Sequence, residues 1–168
     1  MLELEQRLPA IQSFAANIFE RNGFHVPIYM MNIGGDIQVT HCAWSNAADK
    51  DRTAREIKEL IRSGDLKEYV FIAESWVVSA SEPGAVRDAK GFLRDNGSLE
   101  NHPERTEALI LMYSSPTKEL SFKSDIRRDG VSVSLRGWED MGKMGGRSNS
   151  VTEGRMQNLF EIAKAETN

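Results

Sequence analysis

Apolar positions recur along this chain with two different periods, and the changes of period mark out its elements. Leu4, Leu8, Ile11, Phe14, Ala15, Ile18 and Phe19 fall three or four residues apart, the spacing of a helix with one buried stripe. Pro9 costs least in the first helical turn and Asn22-Gly23 suits a left-handed stop, so the helix is predicted to begin within a turn of Pro9 and to end there. Val26–Ile33 and Ile37–Trp44 read as strands around Gly34-Gly35-Asp36, a turn that needs positive φ; together they predict a hairpin. Asp49 is placed to cap a second helix through about Arg62, with Ala54, Ile57, Leu60 and Ile61 buried and Gly64 as its stop.

From Leu66 the period becomes that of strands. Tyr69–Val78 and Leu109–Tyr113 are apolar on both pleat faces, which predicts the middle of a sheet for Leu66–Ala80 and Thr106–Ser114. Glu119–Arg127 and Val131–Arg136 alternate apolar and polar residues, with turns at Ser115-Pro116-Thr117 and Arg128-Asp129-Gly130, and complete a meander with one wet face. The stretch 81–105 is too long for an ordinary connection and is expected to be an exposed insert or flap, with room for a short helix through Val86, Ala89, Lys90 and Leu93. Residues 139–150 are expected to form a flexible Gly- and Ser-rich connection. Thr152 can then cap a last helix to about Ala165, with Met156, Leu159, Phe160 and Ala163 inward. The order α-ββ-α-β-βββ-α predicts one α+β domain over 1–168: a single mostly antiparallel sheet of about six strands with about three helices on one side.

Composition narrows the partners. The chain has 168 residues, 40% hydrophobic and 27% charged, as expected of a globular domain, and its net charge of −4 argues against a nucleic-acid partner. Cys42 is the only cysteine, which excludes an intrachain disulfide and fits a reducing compartment. Glu3 and Glu5 stand where a secretion signal would be basic, and no apolar run approaches the roughly 18 residues of a membrane span, so a cytoplasmic protein is expected.

Few residues carry candidate chemistry. Glu74 shares a pleat face with Val70, Ile72, Trp76 and Val78, and a carboxylate in such a row must be paired, protonated or at an end open to solvent. His41 shares a face with Ile37, Val39 and Ala43, so if its strand neighbours that of Glu74 the two make a carboxylate–imidazole pair fit for general acid–base work. A contact that merely satisfies both groups is the plainer reading, since structural pairs also perturb pKa values. His25, His41, Cys42 and His102 lack the spacing of a metal site, and no metal or cofactor is expected. Cys42 has no base near it in sequence and reads as a small packing residue. Gly137–Met144 approaches the phosphate-loop pattern, but Met144 stands where a hydroxyl would hold magnesium and the following Gly145-Gly146 does not continue as a helix. Lys123, Arg127 and Arg136, with Ser132 and Ser134, form either a small cationic patch for an anionic ligand or a plain solvated sheet face diluted by Asp125.

Glu74-Ser75-Trp76 on a strand, then a variable insert, then His102-Pro103-Glu104-Arg105-Thr106-Glu107-Ala108-Leu109 leading into the next strand, resembles a pattern in small uncharacterised proteins of bacteria and their phages. The resemblance covers roughly Leu66 to Ser115 and implies a cytoplasmic family without an assigned activity, with the insert as its variable, exposed part. Two functions follow as expectations. The first is a non-catalytic cytoplasmic interaction protein that binds a protein partner or itself as a homodimer. The alternative is a small hydrolase or ligand-binding enzyme using Glu74 with His41 or His102, with Trp76 and Arg105 lining a cleft roofed by 81–105.

Overall fold

The computed structural model of the chain describes residues 3–79, 83–141, 150–152 and 159–166. A single 3₁₀ turn, Glu5–Arg7, leads into helix α1 (Leu8–Asn22), with Pro9 in the first turn, where no main-chain N–H is needed, and Gly23 ending it at φ 76°. Strands β1 (Ile28–Ile33) and β2 (Asp36–His41) form the expected hairpin; Gly34 and Gly35 between them have φ 62° and 100°, which β-carbons would oppose. Helix α2 (Ala47–Ser63) is capped by Asn46, three residues before the expected Asp49. Asn46 accepts the Asp49 N–H at 3.0 Å while Asp49 accepts the Ser45 N–H at 2.8 Å, a reciprocal capping pair, so Asp49 serves the cap from inside the first turn.

Strand β3 (Leu66–Ser79) is the centre of the molecule, followed by helix α3 (Pro83–Asn96), the meander β4 (Arg105–Ser114), β5 (Glu119–Asp129) and β6 (Ser132–Leu135), short strands β7 (Glu139–Asp140) and β8 (Ser150–Thr152), and helix α4 (Leu159–Ala165). The sheet runs β2-β1-β3-β4-β5-β6 with antiparallel pairing throughout; β7 continues the outer edge of β5, and β8 pairs with Val77–Ser79 of β3. The α+β class and the single antiparallel sheet are as the sequence predicts.

The helices, however, lie on both sides of the sheet, not on one. Leu8, Ile11, Ala15 and Phe19 of α1 pack with Val70, Ile72, Leu109 and Leu111 on one pleat face. Ile57 of α2 and Leu159 and Phe160 of α4 pack with Tyr69, Phe71, Ile110 and Met112 on the other. The reason is the apolarity of β3 and β4 on both faces: each face needs a cover. Helix α3, inside the stretch expected to be an insert, buries Ala89 with Val78 and Leu99 at the far end of the sheet. The predicted inward residues Leu159, Phe160 and Ala163 are buried. Met156 and most of the Gly- and Ser-rich connection, including Lys143 of the phosphate-loop look-alike, lie outside the described residues. Among the described residues no helix is long and apolar enough to cross a membrane.

One buried carboxylate knits these parts together. Glu68 of β3 accepts hydrogen bonds from the Leu4 N–H (2.8 Å), Asn32 Nδ2 (3.0 Å) and the Tyr113 hydroxyl (3.0 Å), joining the start of α1, β1 and β4 to the central strand. Carboxylate and burial act together on Tyr113, whose hydroxyl is pushed up to about 12, mainly by burial. Glu68→Leu leaves these donors buried without an acceptor and is expected to cost on the order of 3 kcal/mol, with Glu68→Gln costing less because an acceptor oxygen remains. Urea unfolding of the two variants checks this; a loss below about 0.5 kcal/mol for Glu68→Leu, the range of a neutral surface change, would contradict it.

Candidate functional site

Glu74 does lie on the pleat row of Val70 and Ile72, and the strand register shows what shares that row. Glu74 faces Leu109, Trp76 faces Glu107 and Val78 faces Arg105 across the β3–β4 ladder, and Leu109 faces Ser124 across β4–β5, so Arg128 rises on the same side. Beyond the end of α1 the apolar cover stops, and these polar side chains occupy the gap before α3. The chain leaving α1 crosses directly above: the His25 N–H donates to Glu74 Oε1 at 2.7 Å.

The charges are mutually satisfied. Arg128 forks onto Glu107 through Nε and Nη2 at 2.7 and 2.6 Å, and its Nη2 also stands 3.9 Å from Glu74 Oε2. Glu74 keeps 26% of its side-chain surface exposed. Burial, more than anything else, pushes its pKa above the ordinary 4.5; the negative Glu107 adds to this, while the His25 N–H and Arg128 oppose it. Beside this cluster the Arg105 guanidinium sits 5.1 Å from the Trp76 ring centroid and donates to the His102 carbonyl at 3.1 Å.

Neither expected histidine joins Glu74. β1 lies between β2 and β3: His41 is aligned with Ile28 and Ile28 with Ile72, so the two strands are not neighbours. The imidazole near His41 is His25, buried, with Nδ1 2.7 Å from the Val26 carbonyl and Nε2 without a partner; burial holds its pKa below 6.5. His102 is buried edge-on against Phe92 of α3, with ring centroids 4.9 Å apart, and its Nδ1 accepts the Glu104 N–H at 3.1 Å, so it organises the turn before β4. Of the cationic residues, Lys123 is buried and bonded to Asp125 at 2.8 Å, with Glu139 at 3.5 Å, whereas Arg127 and Arg136 are exposed. No group of three or more His, Cys, Asp or Glu side chains among the described residues could hold a metal ion.

Glu107–Arg128 is a diagonal contact fixed by the β4–β5 register, which residue pattern alone does not reveal, and neither does it reveal the place of His25 beside Glu74. Glu68 was detectable in principle, since it occupies the same pleat row as Glu74. Comparison with protein-family models, with curated proteins and with solved structures finds no match. None of these comparisons supports the likeness of the Glu74 and His102 motifs to small bacterial and phage proteins.

A raised pKa for Glu74 means that the folded chain holds this proton more tightly than the unfolded chain. The contribution to stability is then full below the ordinary 4.5 and is lost as pH rises through the raised value. Glu74→Gln keeps an acceptor for the His25 N–H and does not titrate. Its stability relative to the parent protein is expected to increase in urea titrations as pH rises above the ordinary 4.5. A difference independent of pH would refute the assignment.

Proposed function

We propose that this protein acts by association and not by catalysis, pairing with a second copy of itself through the β2 edge of the sheet. The observation that carries the reading is the character of that edge. Among the described residues β2 pairs only with β1, and between Asp36 and His41 it presents Ile37, Gln38, Val39 and Thr40, with no lysine, proline or bulge to discourage strand addition. The opposite edge is different: β6 is short and flanked by Arg127, Arg128 and Arg136.

Exposed apolar residues gather beside β2. Val39 is 54% exposed, and Phe24 (56%) and Val26 (42%) belong to the segment whose Pro27 carbonyl accepts the Cys42 N–H just past the end of β2. Phe14, 50% exposed, lies on the flank of α1 away from Gln12, whose carbonyl receives the Trp138 indole N–H at 3.1 Å on the β5–β6 side. Scattered singly such residues are ordinary; next to an unprotected edge strand they mark an interface. A twofold axis normal to the sheet would lay β2 antiparallel on its copy with like pleat faces aligned, so Ile37 and Val39 of the two copies would meet on the α1 side. Against a hydrolase using Glu74 with His41 or His102 stand the intervening β1 strand and the engagement of His102 in its own turn.

Val39→Lys places like charges near the twofold axis at an exposed position and is expected to weaken the dimer at least about tenfold, in line with a few kcal/mol for like charges brought together at an interface. Size-exclusion chromatography with light scattering over a concentration series reads this. A parent protein that stays monomeric at about 1 mM, or a variant that dimerises as well as the parent, would overturn the proposal.

A further inference from the structure

On the pleat face opposite Val39, a cavity of about 300 Å³ opens between the β1–β2 hairpin and α2. Its floor is apolar, made by Tyr29 and Met31 of β1 and by Ile57 and Leu60 of α2. Trp44 forms a wall whose orientation is fixed twice: its Nε1–H donates to the Thr53 hydroxyl at 2.9 Å, and its ring lies 5.7 Å from Phe71. The titratable groups of the interior are neutral. Burial pushes the Cys42 thiol up to about 11 and the Tyr29 phenol well above its ordinary value, so neither supplies a charge or a nucleophile at neutral pH. At the rim Asp49 and Arg52 are paired with each other, and Glu56 and His41 also line it.

Tyr29 adds an independent observation. It lines the cavity at 1% exposure, and its hydroxyl has no hydrogen-bond partner, a costly state for a buried donor. We propose that this cavity is a binding site for a small uncharged ring compound: the Trp44 wall takes the ring and the apolar floor excludes ions. The volume is at the lower limit of small-molecule pockets, which restricts the occupant to one or two rings.

The test is a titration of the full chain with indole, with benzoate as an anionic ring of similar size, followed by ¹H–¹⁵N correlation spectra. Indole is expected to shift resonances of β1, β2 and α2 with half-saturation below about 1 mM, a modest affinity for so few atoms, and benzoate to bind at least about tenfold more weakly. Two variants close the cavity, Cys42→Phe from the wall and Thr40→Trp from the exposed rim of β2; each is expected to abolish the shifts, and the second substitutes a surface residue and leaves folding intact. Absence of shifts at about 5 mM indole, well beyond the expected half-saturation, benzoate binding as tightly as indole, or binding undiminished in folded Thr40→Trp would each overturn the proposal. Val39→Lys alters the other face of β2 and is expected to bind indole as the parent does, so the dimer and the cavity stand or fall separately.

Discussion

Two carboxylates on one pleat row of β3 hold the two ends of α1, and the cover of one whole sheet face follows from that. Glu68 takes the N–H of Leu4 just before the helix, and Glu74 takes the N–H of His25 just after it. Between them Val70 and Ile72 meet the apolar stripe of Leu8, Ile11, Ala15 and Phe19. The lengths agree. Six residues of strand span about 20 Å, and α1, Leu8–Asn22, spans about 22 Å at 1.5 Å per residue. Both bonded N–H groups belong to the chain just outside the helix, so the two carboxylates fix where that chain enters and leaves α1.

The two acceptors differ in what surrounds them, and so in what they can do. Glu68 lies beneath the 3₁₀ turn, reached by the Asn32 amide and the Tyr113 hydroxyl as well as the main chain. Its role is exhausted by holding parts together. Glu74 lies where the α1 cover ends and the α3 cluster of Val78, Ala89 and Leu99 has not begun, half-open and sharing Arg128 with Glu107. Burial is the chief reason the titration of Glu74 is displaced upward, and the negative Glu107, which shares Arg128 with it, adds to the shift. An isolated reactive base would need an imidazole or hydroxyl in line with it, and the β2-β1-β3 order puts a whole strand between Glu74 and His41.

What could be read in the sequence was what local chemistry decides. The Gly34-Gly35 hairpin, the stop of α2 at Gly64, the central position of β3 and β4 and the inward phase of Glu74 each follow from period, turn residue or pleat. The cap of α2 was misplaced by three residues because Asn46 and Asp49 are equally good acceptors, and only their reciprocal bonds show which is outermost. The sidedness of the helices was misjudged even though the doubly apolar β3 and β4 implied it. Strand order and register were out of reach, since they are set by which apolar faces meet; with them went the Glu107–Arg128 fork, the separation of His41 from Glu74 and the pairing of β8 with the end of β3.

Alternation with period two gives β2 two surfaces that do not interfere. Ile37 and Val39 lie on the α1 side beside the exposed Phe24 and Val26, while Thr40 and Cys42 face the cavity beneath α2. Strand addition uses the backbone at the outer edge and leaves both rows of side chains in place. Among the described residues β2 is hydrogen-bonded to β1 alone, so a second strand would meet its outer backbone and leave the row that faces the cavity in place.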